Sequence, residues 1–297
     1  MEDSPNRWSL PFAAGVAAQR YLSAEQGLVD AHREGCSHWY IDASVAGDMP
    51  DDWDEHRRTE LVAAAAELGL SPIIHGNFRA PLATEIPELQ EATLAYLRRE
   101  IDLAARLKAT SLMIHGGAHV EPRPTKAHRD QAMERFLRLL AIVVKEAAER
   151  GVEIWLENLS YYPKYRPFSY VFTREADFGT ALAAIPELRF ILDIGHANVN
   201  QSAALPMLSA HARSIAALSL SNNSGDQDAH LALDQGTVPI TDVIACIREA
   251  HWRGVLAFET RNATIPDGLD YLRRLWETGA AAEGGGAVGR VPQLIAV

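Results

Sequence analysis

The sequence predicts an α/β protein built as a single closed (β/α)8 barrel, and three observations predict it. Short apolar runs alternate with amphipathic stretches eight times along the chain, which is the rhythm of parallel strands covered by helices. At 297 residues, with no linker dividing it into halves, the chain has the length of one barrel. Polar residues close the apolar runs, most plainly in RFILDIGHAN (189–198), where Phe190-Ile191-Leu192 breaks into Asp193, Gly195 and His196. An open, doubly wound sheet is the structural alternative.

The elements follow in order. A first strand lies in 11–18 (PFAAGVAA), and a helix over 23–34 takes Ser23 as its cap and Gly35 as its stop. The second strand, 38–43 (HWYIDA), is aromatic and β-branched. A polar, proline-containing loop leads to a helix over 53–68, closed by Gly69. The third strand, 71–76 (SPIIHG), ends on His75. Apolar residues at Leu89, Ala92, Leu97, Ile101 and Ala104 or Ala105 give a helix over 88–107 an amphipathic spacing. The fourth strand, SLMIHGG, ends on His115, and a helix over 126–150 closed by Gly151 precedes the fifth, EIWLEN, which ends on Glu157.

A long loop over 159–172 then carries Tyr161, Tyr162, Tyr165, Phe168, Tyr170 and Phe172, read as a lid over a ligand or as packing that holds the loop to the body. A helix over 174–184 precedes the sixth strand, with Asp193, and a helix over 205–213 precedes the seventh, 215–220. The polar loop 221–236 holds Asp228 and His230. A helix over 241–251, the strand VLAFE ending on Glu259, and a last helix over 266–278 complete the eighth unit. The barrel is thus expected over 1–278, with 279–297 a Gly- and Ala-rich tail, flexible or docked as an arm.

Composition excludes several classes. With 47% apolar residues the chain can bury a large core. No stretch has the apolar length to span a bilayer, and MEDSPNRWSL lacks the basic-then-apolar pattern of an export signal, so a cytoplasmic protein is expected. Cys36 and Cys246 are far apart and in no ligand spacing, which argues against disulfides and thiolate metal sites. A formal charge of −11 repels phosphate backbones, so no nucleic-acid partner is expected. GGGAVG (284–289) matches a dinucleotide-binding pattern, but no strand precedes it and no long helix follows. The Asn-x-Ser/Thr matches at Asn158, Asn200, Asn222 and Asn262 carry no weight without export.

The case for a site is geometric. In a barrel all strand ends meet on one face, so polar groups placed last on their strands converge however distant they are in sequence. His75, His115, Glu157, Asp193 and Glu259 close five different strands, with His196, Asp228 and His230 on adjoining loops. Taken singly, each reads as a structural hydrogen-bond partner, and Asp193 as the cap of a following helix. Together they point to a metal or acid/base site. Arg261 reads as a substrate-binding group or as half of a surface ion pair. His119, Lys164 and Arg166 are weaker candidates on nearby loops, whereas His32, His38, His56, His128, His211 and His251 read as structural or solvated.

The motifs MIHGG, WLEN, ILDIGH, DxH and FE, in this order along nearly the whole barrel, resemble the xylose-isomerase-like TIM-barrel superfamily of sugar isomerases, ketose epimerases and inosose dehydratases, which is related to endonuclease IV. The resemblance implies a divalent metal ion, Mn2+ foremost and Mg2+, Co2+ or Zn2+ as alternatives. It implies Glu157, Asp193 and Glu259 as ligands, and Glu157 and Glu259 as the acid/base pair. His75, His115, Asp228, His230 and Arg261 are then expected to bind substrate. The implied function is sugar (ketose or cyclitol) isomerisation or epimerisation by proton transfer next to a carbonyl through an enediolate. The alternatives are an endonuclease IV-like phosphodiesterase and a repurposed barrel with a degenerate site. The expected partner is a small-molecule sugar or cyclitol, with a homo-oligomer expected from resemblance.

The pattern departs on the seventh strand. Relatives place a His and an Asp where this chain has Ser219 and Asn222. A hydroxyl is a weak ligand for a transition metal. Either water, His196 or a substrate oxygen completes the shell, or a harder ion such as magnesium is used, or the metal is lost.

Overall fold

Eight parallel strands close on themselves in a computed structural model that describes residues 10–19, 22–120, 125–161, 168–201 and 204–284. The strands of the barrel are β1 (Ala13–Ala18), β2 (His38–Asp42), β3 (Ser71–His75), β4 (Ser111–His115), β6 (Glu153–Glu157), β8 (Arg189–Asp193), β9 (Ile215–Leu220) and β10 (Gly254–Phe258). They run round the barrel in the order β1-β10-β9-β8-β6-β4-β3-β2. The first strand pairs with both β10 and β2, and so makes the closure.

Helices α1 (Ala24–Arg33), α2 (Glu55–Leu68), α3 (Pro87–Arg106), α4 (Lys126–Glu149), α5 (Glu175–Ala184), α7 (Ala204–His211), α8 (Ile240–Glu249) and α9 (Ile265–Gly284) cover the outside. Their ends follow local chemistry. Ser23, Asp54 and Thr125 accept a backbone N–H of the first turn of α1, α2 and α4. Gly69, at φ 67°, closes α2 in the left-handed conformation its lack of Cβ permits. The last helix runs on to Gly284, past the Thr278 limit read from the sequence, because its run of alanines favours helix. The rest of the tail lies outside the described residues, as does most of GGGAVG.

A small second sheet goes beyond what local sequence pattern predicts, and the helix that Asp193 is expected to cap is present. Residues read as loop form a two-stranded antiparallel sheet, β5 (Ala118–Val120) against β7 (Phe168–Tyr170), joining the segments that follow β4 and β6. Three-residue strands carry too short a pattern to be seen locally. A short helix α6 (Ile194–Val199) begins directly after Asp193.

The core has two parts. The larger lies between strands and helices; it takes in Cys36, and Cys246 packs against it. The smaller fills the barrel interior with Ala17, Tyr40, Ile73, Met113, Trp155, Ile191, Ala217 and Ala257. Side chains alternate along a strand, so the residues two positions further along also face inward. Those residues are Gln19, Asp42, His75, His115, Glu157, Asp193, Ser219 and Glu259. One polar layer therefore caps the apolar interior at the C-terminal ends of the strands.

Candidate metal and acid/base site

The polar layer is buried, and its members meet in pairs. His115 Nε2 lies 3.2 Å from Glu157 Oε2, and the His75 and His115 rings meet edge-on at 4.6 Å between centroids. His75 Nδ1 is 3.5 Å from Asp42 Oδ1. His196, on α6, brings Nδ1 to 3.6 Å from Glu157 Oε1 and 3.5 Å from Asp193 Oδ2. Its Nε2 is 3.3 Å from Asp228 Oδ2, which also receives His230 Nε2 at 2.9 Å. His230 Nδ1 is 4.0 Å from Glu259 Oε2. With its amide turned to donate, Gln19 Nε2 is 2.6 Å from Glu259 Oε1.

Local chemistry holds these groups in place. Asp193 spends one oxygen on structure: Oδ1 accepts the His196 backbone N–H at 2.6 Å and caps α6. The other oxygen, Oδ2, is buried and faces the site without a hydrogen-bond partner among the described residues. His196 Nδ1 lies 2.9 Å from the Asn158 carbonyl oxygen, an acceptor only, so Nδ1 carries the proton. Asn222 organises the loop that carries Asp228 and His230. Its backbone pairs with Leu231, and its side chain donates to the Leu233 carbonyl at 2.8 Å and accepts from Val238 N at 2.9 Å.

Burial pushes Glu157 up to about 8, against the attraction of His196, with Glu259 and Asp193 adding like charge. Burial also raises Glu259 to about 7, with Asp193 adding to it. Burial works against protonation of His196, but Asp193, Asp228 and Glu157 more than offset it and hold its pKa well above the ordinary range. Burial drives His115 the other way, well below 6.5, helped by the charge of His75 and His196. In spite of burial, His196 and His230 hold Asp228 ionised far below the usual carboxylate range.

The residues present fit a divalent cation. Ligand atoms of Glu157, Asp193 and His196 all lie within 4.8 Å of one another, and so do those of His75, His115 and Glu157. The two groups share Glu157. Buried Glu157 Oε2 and Asp193 Oδ2 have no hydrogen-bond partner among the described residues. Unpaired buried carboxylate oxygens are costly, and a cation satisfies them. Oxygen with imidazole suits manganese, zinc, cobalt or magnesium.

Some expectations fall elsewhere. Ser219 is fully buried, its hydroxyl beside Glu259, so the layer has no imidazole on β9. Arg261 is exposed at the rim, and its backbone N–H donates to the His230 carbonyl at 3.0 Å. Phe172 packs in the core, 4.7 Å from Phe178 and 5.7 Å from Phe190, so it is packing rather than lid. Tyr162, Tyr165, Lys164 and Arg166 lie outside the described residues, and of His119 only the backbone, in β5, is described. Asp42, Gln19 and Tyr40 also face the barrel interior, without a motif that marks them in the sequence. The signal that finds them is the two-residue step from an interior residue: Tyr40 to Asp42 repeats Ile73 to His75.

A sequence model of the xylose isomerase-like TIM barrel matches residues 31–275. The chain belongs to this family. An uncharacterized protein of Methanocaldococcus jannaschii is 23% identical over 263 residues, covering 88% of this chain and 87% of that protein. A probable endonuclease 4 of Symbiobacterium thermophilum is 28% identical over 134 residues, 45% of this chain and 46% of that one. The structure of an L-ribulose 3-epimerase superposes with a TM-score of 0.74 at 16% identity, covering 94% of this chain and 100% of that chain. In this xylose isomerase-like barrel, no helix among the described residues is long and apolar enough to cross a membrane.

Proposed function

We propose that this protein is a metal-dependent isomerase or epimerase of a ketose or cyclitol, moving a proton next to a carbonyl. The observation that carries the reading is the placement of Glu157 and Glu259 in one buried layer on either side of Asp193, with pKa values of about 8 and 7. Acid/base groups work best when their pKa lies near the working pH. Similarity to a sugar epimerase barrel supports the same reading.

Glu157, Asp193 and Glu259, with His196 beside them, would hold the cation. When bound, a divalent ion supplies positive charge that stabilises the oxyanion of an enediolate. One glutamate, ionised, takes the proton from the carbon next to the carbonyl; the C–H pair becomes the C=C bond and the carbonyl oxygen takes the charge. The other glutamate, protonated, returns a proton to carbon from the opposite side and inverts the centre. Return from the same side to the neighbouring carbon gives isomerisation instead. His75, His115, Asp228 and His230 orient substrate hydroxyls, with Arg261 at the rim.

The test is deuterium uptake at carbon from D2O, with Mn2+-loaded protein and a panel of ketoses and inososes. Wild type is expected to exchange, and both Glu157→Gln and Glu259→Gln to lose exchange. No uptake across the panel by metal-loaded protein would overturn the proposal.

A second reading rests on one observation, the additional ligand group of His75 and His115 with Glu157. Two cations sharing Glu157 would suit phosphoester hydrolysis. Release of phosphate or cleavage of abasic DNA, without deuterium uptake, would favour it.

A further inference from the structure

Glu100 is a carboxyl with no place in the scheme above. It sits on α3, fully buried, between the apolar Leu97 and Ile101, Leu103 and Ala104 that pack the helix on the barrel. A buried carboxyl without full hydrogen bonding calls for a reason. Its Oε1 accepts the Asn77 backbone N–H at 2.8 Å. Its Oε2 is buried without a hydrogen-bond partner among the described residues.

A second unsatisfied atom lies close by. His115 Nε2 faces Glu157, while its Nδ1 is buried on the far side of the ring, without a hydrogen-bond partner among the described residues. Glu100 and His115 line the same cavity of about 10 Å³, together with Gly76, Asn77, Leu97 and Met113. That is room for one water, and a buried water is held where two to four polar groups surround it. The carboxyl oxygen and the imidazole nitrogen, each without another partner among the described residues, supply two.

We propose that Glu100 is a positioning residue that fixes the tautomer of His115 through one buried water. The water accepts from His115 Nδ1–H and donates to Glu100 Oε2, which leaves the Nε2 lone pair, 3.2 Å from Glu157 Oε2, to accept the O–H of a protonated Glu157 or to bind a cation. An imidazole that binds a cation or accepts a substrate hydroxyl through one nitrogen is commonly held by a carboxylate at the other, directly or through water. Without that hold, Nε2 carries the proton half the time or more and can only donate. The relay does not depend on which reaction the site performs.

The test is the protonation pattern of the ring nitrogens, read by 15N NMR on histidine-labelled protein as purified and again with added Co2+. Wild-type His115 is expected as the Nδ1–H tautomer, and Glu100→Leu is expected to shift it towards Nε2–H while His75 keeps its pattern. Glu100→Gln, which retains an acceptor oxygen and the shape, is expected to keep His115 in the Nδ1–H form. The Co2+ absorption of Glu100→Leu should titrate with about tenfold weaker affinity. A wild-type His115 protonated on Nε2 overturns the relay even if Glu100→Leu fails to fold. A folded Glu100→Leu with unchanged tautomer and Co2+ affinity overturns it equally, and turnover enters neither result.

Discussion

Asn158 clasps Asp193 on both sides of its peptide: Asn158 Nδ2 donates to the Asp193 carbonyl at 2.9 Å, and Asp193 N donates to Asn158 Oδ1 at 2.8 Å. The pair ties β6 to β8 at the level of the carboxylates, and both residues are fully buried. Asn158→Ala strands a donor and an acceptor away from water, which costs about 2–4 kcal/mol. The urea midpoint should fall with an unchanged slope, and cation affinity should fall with it.

The metal-free protein should lose stability as pH rises from about 6.5, above which the depressed histidines no longer oppose the loss, to about 8. Glu157 and Glu259 hold their protons to about 8 and 7 in the folded chain, against an ordinary 4.5. The folded state therefore binds more protons than the unfolded chain between those limits, so stability falls as pH rises through them. His75, His196 and His230, all raised, act in the same direction above their unfolded pKa. The depressed His38 and His115 act only below about 6.5, in the opposite direction. Thermal melts in EDTA should show the decline, on the order of a few kcal/mol. Glu157→Gln should flatten it, and excess Mn2+ should reverse it, because ligands lose their protons to the cation.

Ser219→His should place an imidazole on β9, between Asp193 on β8 and Glu259 beyond β10. Cation affinity should rise about tenfold or more, measured by Co2+ titration against a competing chelator. An unchanged affinity would mean that the carboxylates and His196 already fill the shell.

Gly195→Ala should disturb the site from behind. A Cβ there would lie 2.6 Å from Ser221 Oγ and 3.3 Å from Asp193 Oδ1. Something must shift, at about 1–3 kcal/mol. The melting temperature and the cation affinity should fall together, whereas Gly179→Ala, with open space around its Cβ, should spare both.

The amino-acid sequence by itself determined the alternation of eight apolar runs with eight helical stretches, hence the closed barrel, and placed His75, His115, Glu157 and Asp193 last on their strands. Those features are local: period, caps and the step from apolar to polar can be read within ten residues. The tertiary structure alone decided what depends on strands meeting. It put Asp42 and Gln19 into the polar layer, because the inward step from Tyr40 or Ala17 matters only once the barrel closes. It paired β5 with β7 across a gap of nearly fifty positions, and it set Phe172 among Phe178 and Phe190 rather than over the site. For Asp193 the helix-cap and site readings both hold in the geometry, since a carboxylate has two oxygens and the fold aims each at a different neighbour.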